Sequence, residues 1–162
     1  MLLTFPAGTI TTHRHLGGHH GAGRPVGPTR PQTRFPRQCL GTRRSGSHGP
    51  LGKLGREVSL EQGYIAARLV ALSILGSLHR ALGDLDRVAA WSRVLGMVNS
   101  APGFNQQPNV INGFSDLILE LYGPDRGAHS RSAVGLAELP FNIPVEIEGE
   151  VELIRNQHLQ EG

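Results

Sequence analysis

The sequence predicts an α/β layer, two helices against one face of a mixed β-sheet, within residues 51–153 of a 162-residue chain. Three observations predict it. A capping box at Ser59 opens a 3.6-residue apolar period that lasts to Leu82, a second such period covers residues 110–121, and residues 145–153 alternate apolar and acidic side chains with a period of two.

In Ser59-Leu60-Glu61-Gln62 the serine hydroxyl and the glutamine side chain can each satisfy the other's backbone N–H, so a helix starts there. Leu60, Tyr64, Ala67, Val70, Ala71, Ile74, Leu75, Leu78 and Leu82 recur at helical spacing, while Glu61, Arg68 and Arg80 fall elsewhere on the surface and Gly83 supplies the stop. At about 1.5 Å per residue this is the longest element, about 35 Å. After a turn at Gly83-Asp84, residues 88–98 read as a strand, with Val88, Ala90, Ser92, Val94, Gly96 and Val98 on one face and Trp91, Arg93, Leu95 and Met97 on the other. Neither face is fully polar, so both are expected to be covered. Pro102, Gly103 and Pro108 mark a connection, after which Val110, Ile111, Phe114, Leu117, Ile118 and Leu121 predict a second amphipathic helix ending at Gly123.

Two further strands follow. Ser132, Val134 and Leu136 alternate with Arg131, Ala133, Gly135 and Ala137, giving one apolar face and one that carries a single charge among very small residues, with room over it. Beyond a turn around Pro140, Val145, Ile147, Gly149, Val151 and Leu153 alternate with Glu146, Glu148, Glu150 and Glu152. If the apolar faces of both strands pack on the helices, Arg131 and the glutamate row lie together on the far side of the sheet. A guanidinium among small residues is a candidate anion site, because it grips a carboxylate through two parallel hydrogen bonds. The competing reading is a structural ion pair between Arg131 and a strand glutamate.

Charge divides the chain unevenly. The first fifty residues hold seven Arg, five His, nine Gly and six Pro but no Asp or Glu, whereas the rest set nine Lys or Arg against thirteen Asp or Glu. The high isoelectric point, about 9.7, therefore belongs to the N-terminal stretch, and the mildly acidic remainder argues against nucleic-acid binding. Residues 1–48 are expected to be a disordered or aberrant basic segment, residues 49–155 one folded domain, and residues 156–162 a tail. No run approaches the roughly 18 consecutive apolar residues of a membrane span. The lone Cys39 allows neither an internal disulfide nor a thiolate metal cluster. His13, His15, His19 and His20 sit in a Gly- and Pro-rich stretch that offers no fixed coordination geometry, so they read as composition rather than as a metal site. Residues 1–10 lack the apolar core of a secretory leader, an organelle transit peptide is the weaker alternative, and the expected location is cytoplasmic.

The stretch His129-Ser130-Arg131-Ser132-Ala133-Val134-Gly135-Leu136-Ala137-Glu138-Leu139-Pro140 resembles the (A/S)RS-x-V-x-V-x-x-LP signature of the RidA family, the YjgF-like reactive-intermediate deaminases formerly grouped with endoribonuclease L-PSP. Val145-Glu146-Ile147-Glu148, Gly83-Asp84-Leu85-Asp86-Arg87-Val88 and Val110-Ile111-Asn112-Gly113 are similar to further family motifs. Glu57-Val58-Ser59-Leu60-Glu61-Gln62-Gly63-Tyr64 and Val98-Asn99-Ser100-Ala101-Pro102-Gly103-Phe104 resemble one bacterial subgroup. The resemblance implies a chorismate-mutase-like fold, a homotrimer with clefts between subunits, and hydrolysis of enamines and imines such as 2-aminoacrylate to 2-keto acids and ammonia, without metal or organic cofactor. It implies that Arg131 holds the substrate carboxylate, Glu146 orients or activates water, and Asn112 lines the cleft beside Ala133.

Two departures qualify what carries over. Ala133 stands where a cysteine is common in the family, which implies a subgroup without thiol chemistry; the alternative function is a non-catalytic trimeric module that binds small carboxylates or protein partners. Upstream, where the family carries two apolar strands, only Ser45-Gly46-Ser47-His48-Gly49-Pro50 is similar to the family's S-G-x-x-P segment. The Arg, Gly, Pro and His bias before it is what a GC-rich gene gives when read out of frame, so a frame-shifted or wrongly joined start is expected, with the family's N-terminal strands missing or aberrant.

Overall fold

The computed structural model describes residues 49–154 and, ahead of them, the backbone of three short strands: β1 (Thr11–His13), β2 (Gln32–Arg34) and β3 (Gln38–Cys39). The described body then runs through helix α1 (Leu60–Leu82), strand β4 (Val88–Asn99), helix α2 (Gln107–Gly127), strand β5 (Ser130–Leu136) and strand β6 (Val145–Leu153). This is the predicted layer, with both helices on one face of a mixed sheet ordered β1-β2-β6-β4-β5. β4 runs parallel to β5 and antiparallel to β6. On its other flank β6 pairs with β2 through residues 150–152 and with β3 through residues 146–147. The stretch expected to lack strand pattern thus contributes strand backbone at three places; the rest of it, the histidines beyond His13 and the tail 156–162 lie outside the described residues.

Helix α1 begins and ends where its local chemistry dictates. Ser59 Oγ accepts from Gln62 N at 3.2 Å and Gln62 Oε1 accepts from Ser59 N at 2.9 Å, which completes the capping box. Gly83 takes up φ 80°, a left-handed conformation open to glycine, and donates its N–H to His79 O at 2.8 Å. α1 has the length and hydropathy of a membrane span, but one face of it is spent on the core, where Ala67, Val70, Ile74 and Leu78 are at most 1% exposed. Helix α2 breaks at Gly123 (φ 70°, ψ 177°), as its sequence predicts, and Pro124 opens one further turn.

Both helices lie close to what they cover. A Cβ on Gly113 of α2 would stand 2.0 Å from the Tyr64 carbonyl oxygen of α1, and a Cβ on Gly96 of β4 would stand 2.5 Å from Ile111 of α2. Glycine is what lets these backbones approach. The resulting core joins Leu54 and Val58 of the segment before α1 to Val94, Val98, Phe114 and Ile147.

Strand β4 departs from simple alternation. Its pairing with β6 shifts register between Val88 and Ala90 and again between Trp91 and Arg93. Such bulges reset which face the following residues present, so Val88, Trp91 and Val94 all enter the helix-covered core. Trp91, expected opposite Val88, packs edge-on against Phe114 with ring centroids 5.5 Å apart.

Strand β5 also differs from expectation. Across the parallel ladder Arg131 is level with Val94, Ala133 with Gly96 and Gly135 with Val98, and laterally paired residues share a face. The small row therefore faces the helices, while Ser132 and Val134 share the open face with Leu95 and Met97. The room expected over Ala133 and Gly135 is filled by the start of α2: a Cβ on Gly135 would meet Gln107 Nε2 at 2.7 Å.

Candidate functional site

At the β5 edge of the sheet, the functional side chains are supplied by two elements. Asn112 and Ser115 lie three residues apart on α2 and so project from one side of it. His129, the residue just before β5, and Arg131, its second residue, lie two apart in extended chain and project to the same side. The crossover from β4 through α2 to a parallel β5 sets these pairs opposite each other.

The contacts form a chain. Arg131 donates through one terminal nitrogen, Nη1, to Asn112 Oδ1 at 2.8 Å and to Ser115 Oγ at 3.1 Å. Ser115 Oγ lies 3.0 Å from His129 Nε2, and His129 Nδ1 lies 2.7 Å from the Gly127 carbonyl oxygen. Ser115 is 8% exposed, His129 is half-buried with its ring edge-on to Phe114, centroids 6.2 Å apart, and Arg131 is exposed. A carbonyl only accepts, so Nδ1 carries the proton on that side of the imidazole. Desolvation holds the His129 pKa below its ordinary value, and the positive charge of Arg131 acts the same way, whereas the bond to Gly127 opposes both.

This arrangement is suited to gripping an anion. Nη1 has two hydrogens and both are engaged, so the guanidinium plane is fixed while Nη2 and Nε have no partner among the described residues. Those two donors lie along one edge of the plane and match the two oxygens of a carboxylate. Ala133, next along the same face, is half-buried beneath α2 and adds no polar group.

Of the residues singled out from sequence, Arg131 and Asn112 are brought into direct contact and Ala133 lies beside them. Glu146 does not join them. It is level with Met97 on β4 and lies between Val145 and Ile147, which enter the helix-side core, so it faces the open side of the sheet, where it is 3% exposed. The expectation that Arg131 and Glu146 share a face fails because β5 turns its small residues, not its apolar ones, toward the helices. Ser115 and the engaged role of His129 were not foreseen. Their signals were the i, i+3 spacing from Asn112 and the i, i+2 spacing from Arg131. Among the described residues no group of three or more His, Cys, Asp or Glu side chains comes together as a metal site.

Comparison with known proteins agrees with this architecture. Protein TCP17 of Trypanosoma cruzi is 46% identical over 102 residues, covering 63% of this chain; the chain spans 64% of that relative's length. A crystal structure of a protein of unknown function from Agrobacterium tumefaciens is 38% identical, superimposes with a TM-score of 0.70 and covers 76% of each chain. A Shewanella oneidensis structure bearing an endoribonuclease description is 27% identical, with a TM-score of 0.70 over 86% of this chain and 91% of its own. Residues 45–147 match the family described as "YjgF/chorismate mutase-like, putative endoribonuclease". That match takes in both helices, β4, β5, the Arg131 constellation and the first residues of β6, and with it the chain belongs to the YjgF/RidA family and has its chorismate-mutase-like fold.

Proposed function

We propose that the protein is a cytoplasmic enamine/imine hydrolase that converts 2-aminoacrylate-like intermediates to 2-keto acids and ammonia. The observation that carries the reading is the guanidinium of Arg131, fixed on one side by Asn112 and Ser115 and exposed on the other. A 2-imino acid has a carboxylate next to the reacting carbon, so a bidentate grip on the carboxylate also positions that carbon. Water adds to the C=N carbon to give a carbinolamine; the C–N bond then breaks as the new hydroxyl loses its proton, and ammonia leaves with a 2-keto acid as product. A carboxylate near the site would accept the proton of the attacking water, and Glu146 takes this part. It lies on the other face of its own sheet, so it serves in a cleft formed where chains meet, as in a homotrimer.

The test is turnover of 2-aminoacrylate by the full chain together with Arg131→Ala. Two charge-assisted hydrogen bonds, each worth about 1.5–3 kcal/mol, are lost in the variant, so its kcat/KM falls by about 100-fold or more. Undiminished turnover by Arg131→Ala would sink the reading.

A second reading has its own observation. With Ala133 beside Arg131 and Glu146 on the opposite face, the described residues of one chain set the carboxylate grip apart from Glu146. A non-catalytic module that binds small carboxylates would bind pyruvate through Arg131 yet leave 2-aminoacrylate untouched.

A further inference from the structure

We propose that His129, as the neutral Nδ1–H tautomer, is a positioning residue that holds Arg131 in its carboxylate-binding orientation through the hydroxyl of Ser115. The inference rests on the reading of Arg131 as the carboxylate grip and deepens it.

Donor and acceptor bookkeeping carries the argument. Ser115 Oγ has one proton to give and receives one from Arg131 Nη1. The hydroxyl proton needs an acceptor, and His129 Nε2 stands 3.0 Å away. Nε2 accepts only when unprotonated, and the Gly127 carbonyl at 2.7 Å secures the proton on Nδ1. Bonds therefore run in one direction, Arg131 to Ser115 to His129 to Gly127, and each sets the orientation of the next. Ring packing against Phe114 keeps the imidazole plane in place. A protonated ring would reverse the Ser115 bond and bring a second cation toward Arg131, and the desolvated setting of His129 works against that state. Asn112 alone would leave Arg131 held at a single point, free to swing about that bond. The second point, at Ser115, is what fixes the plane.

The experiment uses the full chain in five forms: wild type, Ser115→Ala, His129→Phe, the Ser115→Ala/His129→Phe double variant and His129→Gln, with Arg131→Ala as reference and circular dichroism to confirm folding. The probe is pyruvate, titrated by calorimetry, and nitrogen-15 NMR reads the His129 ring and the Arg131 guanidinium without ligand. Wild type at pH 7.5 should show a protonated Nδ1, an unprotonated Nε2 and slowly rotating Arg131 Nη groups. Ser115→Ala and His129→Phe should each weaken pyruvate binding about tenfold and release the Nη rotation. The double variant should bind no more weakly than either single one, because the two act in one chain. His129→Gln, whose carbonyl oxygen can accept from Ser115, should recover most of the affinity.

A protonated Nε2, unchanged Nη rotation in Ser115→Ala, or additive losses in the double variant would overturn the positioning role. Failure of wild type to bind pyruvate, or equal binding by Arg131→Ala, would instead overturn the carboxylate reading, while the ligand-free NMR would still decide whether His129 holds Arg131. If His129→Phe fails to fold, His129→Gln and the nitrogen-15 spectrum of the wild-type ring carry the test: retained affinity in His129→Gln with an unprotonated Nε2 supports the role, and a protonated Nε2 overturns it.

Discussion

The helix-covered face of the sheet and its open face are built from the same three strands, yet they are filled by different means. On the helix side, Val94, Val98, Val145, Ile147 and Val151 are at most 1% exposed, Gly96 lets α2 close on β4, and Gly113 lets the two helices close on each other. On the open side the buried apolar cluster is Met97, Leu139 and Ile143, flanked by Leu95 and Leu136, and it shares that face with Glu146. The covered face combines large apolar side chains with small residues at points of close approach, and the open face keeps both apolar and acidic side chains. The comparison teaches that an apolar row does not by itself say which way a strand faces.

The largest effect should come from filling the tightest approach inside the helix layer that covers this face. Gly113→Val sets a branched side chain against the Tyr64 carbonyl, where even a Cβ would lie 2.0 Å away; overpacking commonly costs about 1–3 kcal/mol and more where backbone must shift. The expected outcome is loss of cooperative unfolding in circular dichroism, and a native-like melt would show that α1 and α2 can slide apart.

Next come paired truncations, one on each face. Trp91→Ala should lower unfolding free energy by about 3–5 kcal/mol and Met97→Ala by about 2 kcal/mol, since Trp91 lies among Phe114 and Tyr122 whereas Met97 belongs to a cluster of three buried residues. Urea melts of the two variants give the ratio directly, and equal losses would erase the distinction between the faces.

Acid should act on the site through His129. Unfolded, the ring takes up a proton near the ordinary value of 6.5; folded, desolvation delays that uptake to lower pH. The unfolded chain therefore binds more protons in this window, so the contribution of His129 to stability is complete above about pH 6.5 and is lost as pH falls through the depressed folded value. Comparing urea midpoints of wild type and His129→Gln from pH 7.5 to 5 should show wild type losing more. Parallel curves would place the ring in a solvated setting.

The smallest effect belongs to the surface clasp between the helices, where Arg68 donates to Glu120 at 2.8 Å. Both side chains are more than a third exposed, so Glu120→Gln should cost at most about 0.5 kcal/mol. A thermal shift of less than a few degrees checks it.

How much of this was legible from sequence depended on whether local chemistry or a neighbour decided the outcome. The capping box at Ser59, the stop at Gly83 and the break at Gly123 were readable because each is decided within a few residues. β6 was faced correctly because its second row is all glutamate and glycine cannot be mistaken for it. Trp91 was misplaced because bulges carry no composition of their own. β5 is read the wrong way from sequence because what selects its small row is the side chains of Ser100 and Gln107, contributed by residues more than twenty positions earlier. Arg131 and Asn112 were found as a pair through family resemblance, while Ser115 and His129 needed the crossover geometry before their spacing meant anything.

The place of β6 sets an order of assembly. It is the final described strand in chain order, yet it occupies the middle of the sheet, between β4 on one flank and β2 and β3 on the other. A ribosome delivers the chain from its N-terminus, so β4, α2 and β5 emerge together and can dock as a parallel unit, with the Arg131 chain of bonds already in place. The other half of the sheet must wait. Until Leu153 has left the exit tunnel, β4 presents an unpaired edge on the flank that β6 will fill, open meanwhile to a strand of a second nascent chain.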